Sequence, residues 1–422
     1  MGLVPASLCI AQEAKHLHAG EGLRWLKGNT HTHTYWSDGD AAPEVSVAWY
    51  KDHGYDFLCL SDHNVLSDGS VEKWVPVTEK GPLTQERLEK LQDQFGKDSC
   101  MVEVRDGTPH LKLKTLPELR EKFEEEEKFL LIQAEEITSF FPKVHMNGIN
   151  LKRVIPPANN KEGYEVMISA IENLEHQSQE FGMPVFAHLN HPNWGDGVTA
   201  EDIMGAPVLR FFEVYNGHPG VRNWGNEERG MPSTDRIWDI VLAHRMRNGE
   251  AALLGVASDD THNYHDLRIG EANAGRGWVM VLASKLEPNT IVEAMKRGDF
   301  YSSSGVGLQD IGWTGKELRV EIEEQQGVDY KVQFIGTRRD FDVSSEPVLD
   351  EKGEPKYGAT RIYSHDIGEV LFETDSNPAV YPLTGDELYV RAKVISNKLQ
   401  DNPFAKGDYE TAWTQPYQPP RD

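Results

Sequence analysis

Cysteine is scarce in this chain: there are three in 422 residues, Cys9, Cys59 and Cys100, with no C-x-x-C pair among them. That excludes a disulfide framework and paired-thiolate zinc or redox chemistry. Cys59, inside an apolar run, reads as a small core residue. Long apolar runs are also lacking, since no stretch reaches the roughly 20 residues that span a bilayer. Basic charge is in deficit, with 43 Lys and Arg against 68 Asp and Glu and a formal net charge of −25. No nucleic-acid or anionic-membrane surface is therefore expected, and most of the acidity reads as a solvated surface. The motifs G-x-S-x-G, H-E-x-x-H and G-x-x-x-x-G-K-[ST] are missing, which removes the nucleophile elbow, the zincin helix and the phosphate-binding loop.

What is present is an alternation of short apolar runs with amphipathic helices from Trp25 to Phe300, the pattern of βα units around a parallel sheet. Strands are predicted at 57–60, 129–132, 184–187, 211–215, 253–257 and 278–282, and helices at 43–52, 164–181, 234–248 and 288–297. Residues 66–128 interrupt this pattern as an insertion. It holds a helix at 83–95, a strand pair around Asp106-Gly107, and a capping-box helix that starts at Thr115 and runs into Glu124-Glu125-Glu126-Glu127 as a solvated face. After Gly305 the period changes to two, in Leu318–Ile322, Tyr330–Phe334 and Leu388–Val394, which marks half-buried antiparallel strands. The expected division is an N-terminal segment over 1–20, a barrel over 21–304, and a sandwich-like β domain with its tail over 305–422.

The polar residues that follow the apolar runs carry the chemistry. They are Thr30-His31-Thr32-His33 with Asp38, Ser61-Asp62-His63-Asn64, Glu135-Glu136, His145, Asn190-His191-Pro192 and Asp259-Asp260-Thr261-His262. Imidazole and carboxylate donors without thiolate suit Zn, Mn or Fe in catalytic sites. His31 and His33, two apart, share one face of a strand, and Gly39 lets the loop fold Asp38 back toward them. In a (β/α) barrel such strand ends converge on one mouth. A single buried histidine is more often a structural residue, so His53, His176 and His244 are expected to be ordinary. The clusters together call for cations, because burying so many charged groups in one place is otherwise costly.

On His31-Thr32-His33 with Ser37-Asp38-Gly39, Ser61-Asp62-His63-Asn64, His191-Pro192 and Asp260-Thr261-His262, residues Trp25 to Tyr301 resemble the PHP family, named for polymerase and histidinol phosphatase. The resemblance implies an α/β fold, a distorted (β/α)7 PHP-type barrel, here with a C-terminal antiparallel β-sandwich-like domain. It also implies three divalent metal ions (Zn, Mn and/or Fe), held by His31, His33, Asp38, His63, Glu136, His145, His191, Asp260 and His262. Glu136, His63 and Asp260 would form the catalytic centre around a metal-bridging hydroxide. His188 is the alternative to His191, and Asp259 the alternative to Asp260. Glu135 is read as a neighbour of the ligand, since alternation lets only one of the pair face the mouth.

The activity this implies first is hydrolysis of phosphodiesters or phosphomonoesters, with a small-molecule ester as partner. A small anionic substrate is compatible with the acidic chain because metal ions dominate the potential inside a site. Family phosphatases often carry an arginine after the His-Pro pair, whereas Asn193-Trp194 follow here. Asn193, Trp194, Arg222 and His218 are therefore the candidate substrate-binding residues. A barrel followed by a β module ending in Ala412-Trp413-Thr414 also resembles a subgroup with carbamate and aryl-ester hydrolases. Tyr35, Trp36, Trp194, Trp224 and Tyr264 would then line an apolar-walled pocket. A non-catalytic, metal-stabilised binding domain is the third reading, disfavoured by the complete ligand set. The segment from Leu3 to Gln12 reads equally as the tail of a secretory signal, implying a periplasmic or secreted protein, or as a disordered start in a cytoplasmic one. The sequence leaves the oligomeric state open.

Overall fold

Phe57-Leu58-Cys59-Leu60 is buried on both faces and accordingly lies inside a sheet, with a parallel neighbour on either side. The structure, a computed structural model, describes residues 14–419 apart from 159–161, 196 and 404. The chain is mixed α/β, with large sheets and few helices. Seven strands adjoin one another in chain order within a 13-stranded sheet. They are β1 (Arg24–Asn29), β2 (Phe57–Leu60), β3 (Leu130–Phe140), β4 (Lys143–Ile149), β5 (Phe186–Leu189), β6 (Phe211–Asn216) and β7 (Leu254–Ser258).

The pairs β1/β2, β2/β3, β5/β6 and β6/β7 are parallel, as the alternation predicts. Strand β4 departs from the expectation and runs antiparallel to both β3 and β5. The reason is the connection. Only Phe141-Pro142 separates β3 from β4, and a parallel return needs a crossover of a dozen residues or more. Thr32 and Thr261, just past β1 and β7, form a parallel bridge, so the first and last of the seven strands meet at their ends. Helices Pro43–Asp52, Gly163–Phe181 and Thr234–Arg247 pack their apolar faces on this set. Fully buried members such as Leu58, Phe212 and Trp238 each contribute about 1.5–3 kcal/mol of apolar burial.

Between β2 and β3, Trp74–Pro76, Val102–Arg105 and Thr108–Lys112 form a small sheet beside helix Gln85–Phe95. The Thr115/Glu118 capping box starts its helix, but that helix stops at Phe123 and the glutamate run lies beyond it. The correction has a local cause: these side chains leave the helical path for nearby partners. Glu124 accepts from Leu131 N, Glu125 pairs with Lys51, and Glu127 pairs with Arg24.

Beyond β1 the large sheet continues without a break through Trp278–Ala283, Phe300–Ser303, Tyr409–Trp413, Glu387–Leu399, Tyr330–Arg338 and Glu369–Thr374. A four-stranded sheet, Lys15–His18, Leu308–Trp313, Glu317–Ile322 and Ala379–Pro382, shares a core with it around Leu17, Trp313, Val320, Phe334 and Val390. The segment from Leu3 to Gln12 read as a signal tail lies, like all of residues 1–13, outside the described residues.

One buried ion pair ties the two halves. Arg391, fully buried on strand Glu387–Leu399, grips Asp239 of helix Thr234–Arg247 through Nε at 2.9 Å and Nη2 at 2.7 Å, and Tyr389 Oη donates to the same carboxylate at 2.9 Å. Removing one partner strands the other charge. Arg391→Ala is therefore expected to lower unfolding stability by roughly 3–5 kcal/mol, and chemical denaturation would measure it.

Candidate metal centre

The scattered polar clusters meet because the sheet ladder continues past the strand ends as single bridges between loops. His33 N donates to Thr261 O at 2.9 Å, Asp260 N to His31 O at 3.0 Å, Asn64 N to Glu136 O at 2.9 Å and Asn190 N to His145 O at 2.9 Å. His31 and His33 lie just past the end of β1 rather than on it. Glu136 and His145 were expected after strands but sit within β3 and β4, whose extended hairpin carries them to the same end. Two of the candidate ligand positions are strained. His191 has φ +26° and Asp260 φ +51°, in the left-handed region that costs a non-glycine residue on the order of 1–3 kcal/mol.

Glu136 is the hub. Its carboxylate lies 2.8 Å from His63 Nδ1, 3.0 Å from His145 Nδ1, 3.3 Å from His33 Nε2, 3.4 Å from His191 Nε2 and 3.5 Å from His31 Nε2. Asp260 Oδ1 lies 3.2 Å from both His31 Nε2 and His33 Nε2. Asp38, 56% exposed, closes the outer side at 3.3 Å from His262 Nε2 and 3.5 Å from His63 Nε2. The rings of His63 and His262 stand 4.6 and 4.2 Å from that of His33, so the proposed ligands share one small volume.

Four overlapping sets could each hold an ion: His33, Asp38, His63 and His262; His31, His191 and Asp260; His31, His33 and Glu136; and His63, Glu136 and His145. Two features fit a cation. His31 Nδ1 is bound to the Glu213 carboxylate at 2.8 Å, which fixes that nitrogen as the donor and turns the Nε2 lone pair toward Glu136, Asp260 and His33 Nε2, the last only 3.1 Å away. Lone pairs and carboxylate oxygens so crowded repel one another unless positive charge lies between them. In addition, His145 Nε2 is buried with no hydrogen-bond partner. Without an ion, protons must supply the charge. Burial opposes it, yet Glu136 and Asp38 raise His63 to about 11. A further set, His16, His18 and Asp310, lies on the four-stranded sheet, where Arg319 already pairs with Asp310.

The neighbours of the ligands divide by role. Glu135 turns away to accept from Ile155 N, and burial raises it to about 8. Asp259 accepts from Tyr50 Oη and from the backbone of Gly275, Arg276 and Gly277, and so it braces a loop. His188 is buried outside all four sets, and burial lowers it to about 4, whereas His191 lies inside them. Asp62 ties down Thr34 and Ser37, which shapes the loop that presents Asp38.

Of the candidate substrate residues, Trp194 stands 5.0 Å from the His145 ring and His218 stands 5.2 Å from that of His262. Burial lowers His218 to about 4. Asn193 instead faces inward and donates to the Arg222 and Pro232 carbonyls at 2.8 and 2.9 Å. Arg222 is exposed, and its carbonyl serves that tie. Among the proposed pocket aromatics, Tyr35 and Trp36 donate to Pro82 O and Lys114 O of the insertion, Tyr264 pairs with Ser46, and Trp224 is exposed.

Glu213 was missed by sequence reasoning. Fully buried in β6, it accepts from His31 Nδ1, from His191 N at 2.7 Å and from Asn216 Nδ2 at 2.8 Å. Burial opposes its charge, but His31 holds it at about 2. The available signal was a carboxylate inside Phe211-Phe212-Glu213-Val214-Tyr215, where only a paired charge is tolerable.

Comparison with known proteins found no matching family model and no matching curated protein. Among solved structures, the chain is similar to a two-domain protein from Bacteroides vulgatus ATCC 8482 containing a predicted PHP-like metal-dependent phosphoesterase. The identity is 15%, with 97% of this chain and 98% of that one covered and a TM-score of 0.41. It is also similar to a candidate metal-dependent phosphoesterase from Bifidobacterium adolescentis ATCC 15703, at 11% identity, covering 64% of this chain and 94% of that one, with a TM-score of 0.28.

Proposed function

We propose that the chain is a PHP-type metal-dependent hydrolase on a distorted (β/α)7 barrel, that His31, His33, Asp38, His63, Glu136, His145, His191, Asp260 and His262 hold three divalent ions (Zn, Mn or Fe), and that its substrates are phosphoesters. The observation that carries this reading is the buried convergence of imidazoles on Glu136 and Asp260, lone pairs facing carboxylate oxygens within 3.5 Å. Ions bound there would supply a water acidic enough to attack near neutral pH and positive charge to draw off the developing charge on the leaving oxygen. The residues of the chain do the rest. Glu136 and Asp260 hold the net charge of the centre low, Glu213 and Thr138 orient His31 and His63 through their Nδ1 atoms, and Asp38 reaches in from the solvent side. His218, kept neutral by burial and accepting from Gly220 N through Nδ1, presents its other ring nitrogen as a hydrogen-bond donor beside His262.

A trinuclear centre favours phosphorus over carbon. A tetrahedral phosphoryl group offers two non-bridging oxygens and a leaving oxygen to the cations, whereas a planar carbonyl offers one. With Asn193 turned inward and Arg222 exposed, no arginine among the described residues is seen to reinforce a dianion, and diesters are preferred to monoesters. Hydrolysis of aryl carbamates or carboxylic esters is the second reading, favoured by Trp194 against the His145 ring.

Three outcomes follow. Chelation should abolish hydrolysis and lower Tm, and His63→Ala or Glu136→Ala should reduce both activity and bound metal measured on purified protein. His176→Ala, exposed on helix Gly163–Phe181, should change neither. Glu213→Gln should keep the fold but weaken metal affinity on the order of 10–100-fold, as competition with a chelator would read. In a panel of aryl phosphate mono-, di- and triesters, carboxylic esters and carbamates, diesters should give the highest kcat/KM. An aryl carbamate or ester cleaved at least about tenfold better than any phosphate would put the second reading first.

A further inference from the structure

Two phenylalanines at the tip of the β3–β4 hairpin face solvent, Phe140 at 58% and Phe141 at 77% exposure. The hairpin is the one that carries Glu136 and His145, and Phe140 pairs across it with Lys143. The Phe140 ring stands edge-on to His145 with centroids 6.1 Å apart. Trp194, half-buried, also packs on His145, at 5.0 Å, and on His191, at 5.6 Å.

Trp194 is held in that position. Lys143 Nζ lies 5.6 Å from its ring centroid and donates to Gly195 O at 3.2 Å. The loop presses so close to the hairpin that a Cβ on Gly197 would meet Lys143 O at 2.7 Å. An ammonium thus sits beside an aromatic surface at the edge of the candidate metal centre, on a chain with net charge −25. Exposed aromatic area that is fixed in place and borders reactive groups is suited to remove a flat apolar group from water.

We infer that Phe140 and Trp194, the latter positioned by Lys143, form a subsite for an aryl substituent that stays on the acid part of an anionic ester. The inference rests on the proposed hydrolase reading and narrows its substrate class to aryl-substituted esters carrying a negative charge. An aryl group lying against Trp194 would have its reacting centre on the side of His145 and His191, with the ammonium near the negative oxygens.

The test uses the full chain, metal-reconstituted, with phenyl 4-nitrophenyl phosphate and methyl 4-nitrophenyl phosphate, which share charge and the 4-nitrophenyl leaving group and differ in the substituent that stays on phosphorus, phenyl against methyl. The wild type is expected to prefer the phenyl diester by about tenfold in kcat/KM, mostly through KM, and Phe140→Ala/Trp194→Ala to bring the ratio near one. Trp194→Phe, which keeps an aromatic face at that place, should retain most of the preference. Calorimetric binding of phenylphosphonate against methylphosphonate gives a readout independent of turnover. If neither diester is hydrolysed in a metal-dependent way, yet phenylphosphonate binds better and the double variant loses the difference, the hydrolase reading falls and the subsite stands. An equal ratio in the wild type, or a ratio and a binding preference unchanged in the double variant, overturns the subsite.

Discussion

The constraint on which this structure turns is a carboxylate with no solvent exposure at the end of a β-sheet. Glu136 lies within 3.5 Å of five imidazole rings, and a carboxylate buried that deeply is tolerable only with compensating charge and hydrogen bonds. Meeting that requirement dictates where the neighbouring strands stop. β1 ends before His31, β2 before His63 and β5 before His191, so that the regular strands give way to single bridges there and each histidine turns inward. Left-handed backbone at His191 and Asp260 belongs to the same requirement, because a regular strand end would aim those side chains elsewhere.

Much of this was legible in the sequence, for physical reasons. Doubly buried strands such as β2 and β7 read as continuous apolar runs, and their helices read by period and by Pro43, Pro288 or the Thr115 capping box at the start. The ligand clusters stood out because histidine and aspartate next to such runs conflict with burial unless they are paired. The β4 strand was not legible. Lys143–Ile149 mixes Lys, His, Asn and Gly with its apolar residues, so neither period two nor an apolar run announces it. With β4 unseen, its reversal was unseen as well, and His145 could be placed only by likeness to a motif.

The second layer was hidden for a different reason. Glu213, Asn190 and Asn147 contribute hydrogen bonds rather than ligand atoms: Asn190 Nδ2 donates to Glu136 at 2.9 Å and to Asn147 at 2.8 Å, and Asn147 reaches Thr30 O at 2.8 Å. Such residues have no fixed spacing to the ligands they orient, because the contact is made across strands. The four-stranded sheet was half legible likewise. Of its strands only Glu317–Ile322 was visible by alternation, while its member Lys15–His18 comes from the opposite end of the chain and carries a pattern too short to read.

Asn193 shows how a residue following a recognised motif can carry a different task from the one its position suggests. Its side-chain amide binds two carbonyls, of Arg222 and Pro232, and so closes the loop after β6 onto the loop after β5. With both amide hydrogens of Asn193 Nδ2 committed in this way, turning it toward a substrate would give up both ties, although Arg222 O would keep the Gly225 N–H. The same tie holds Arg222 by its backbone and leaves its side chain in solvent. Under the proposed reading, positive charge for a substrate would come from the ions, with the Lys143 ammonium beside Trp194 at the edge of the site. That would limit how much negative charge the site accommodates, and it is why the proposal places monoanionic esters before dianionic ones.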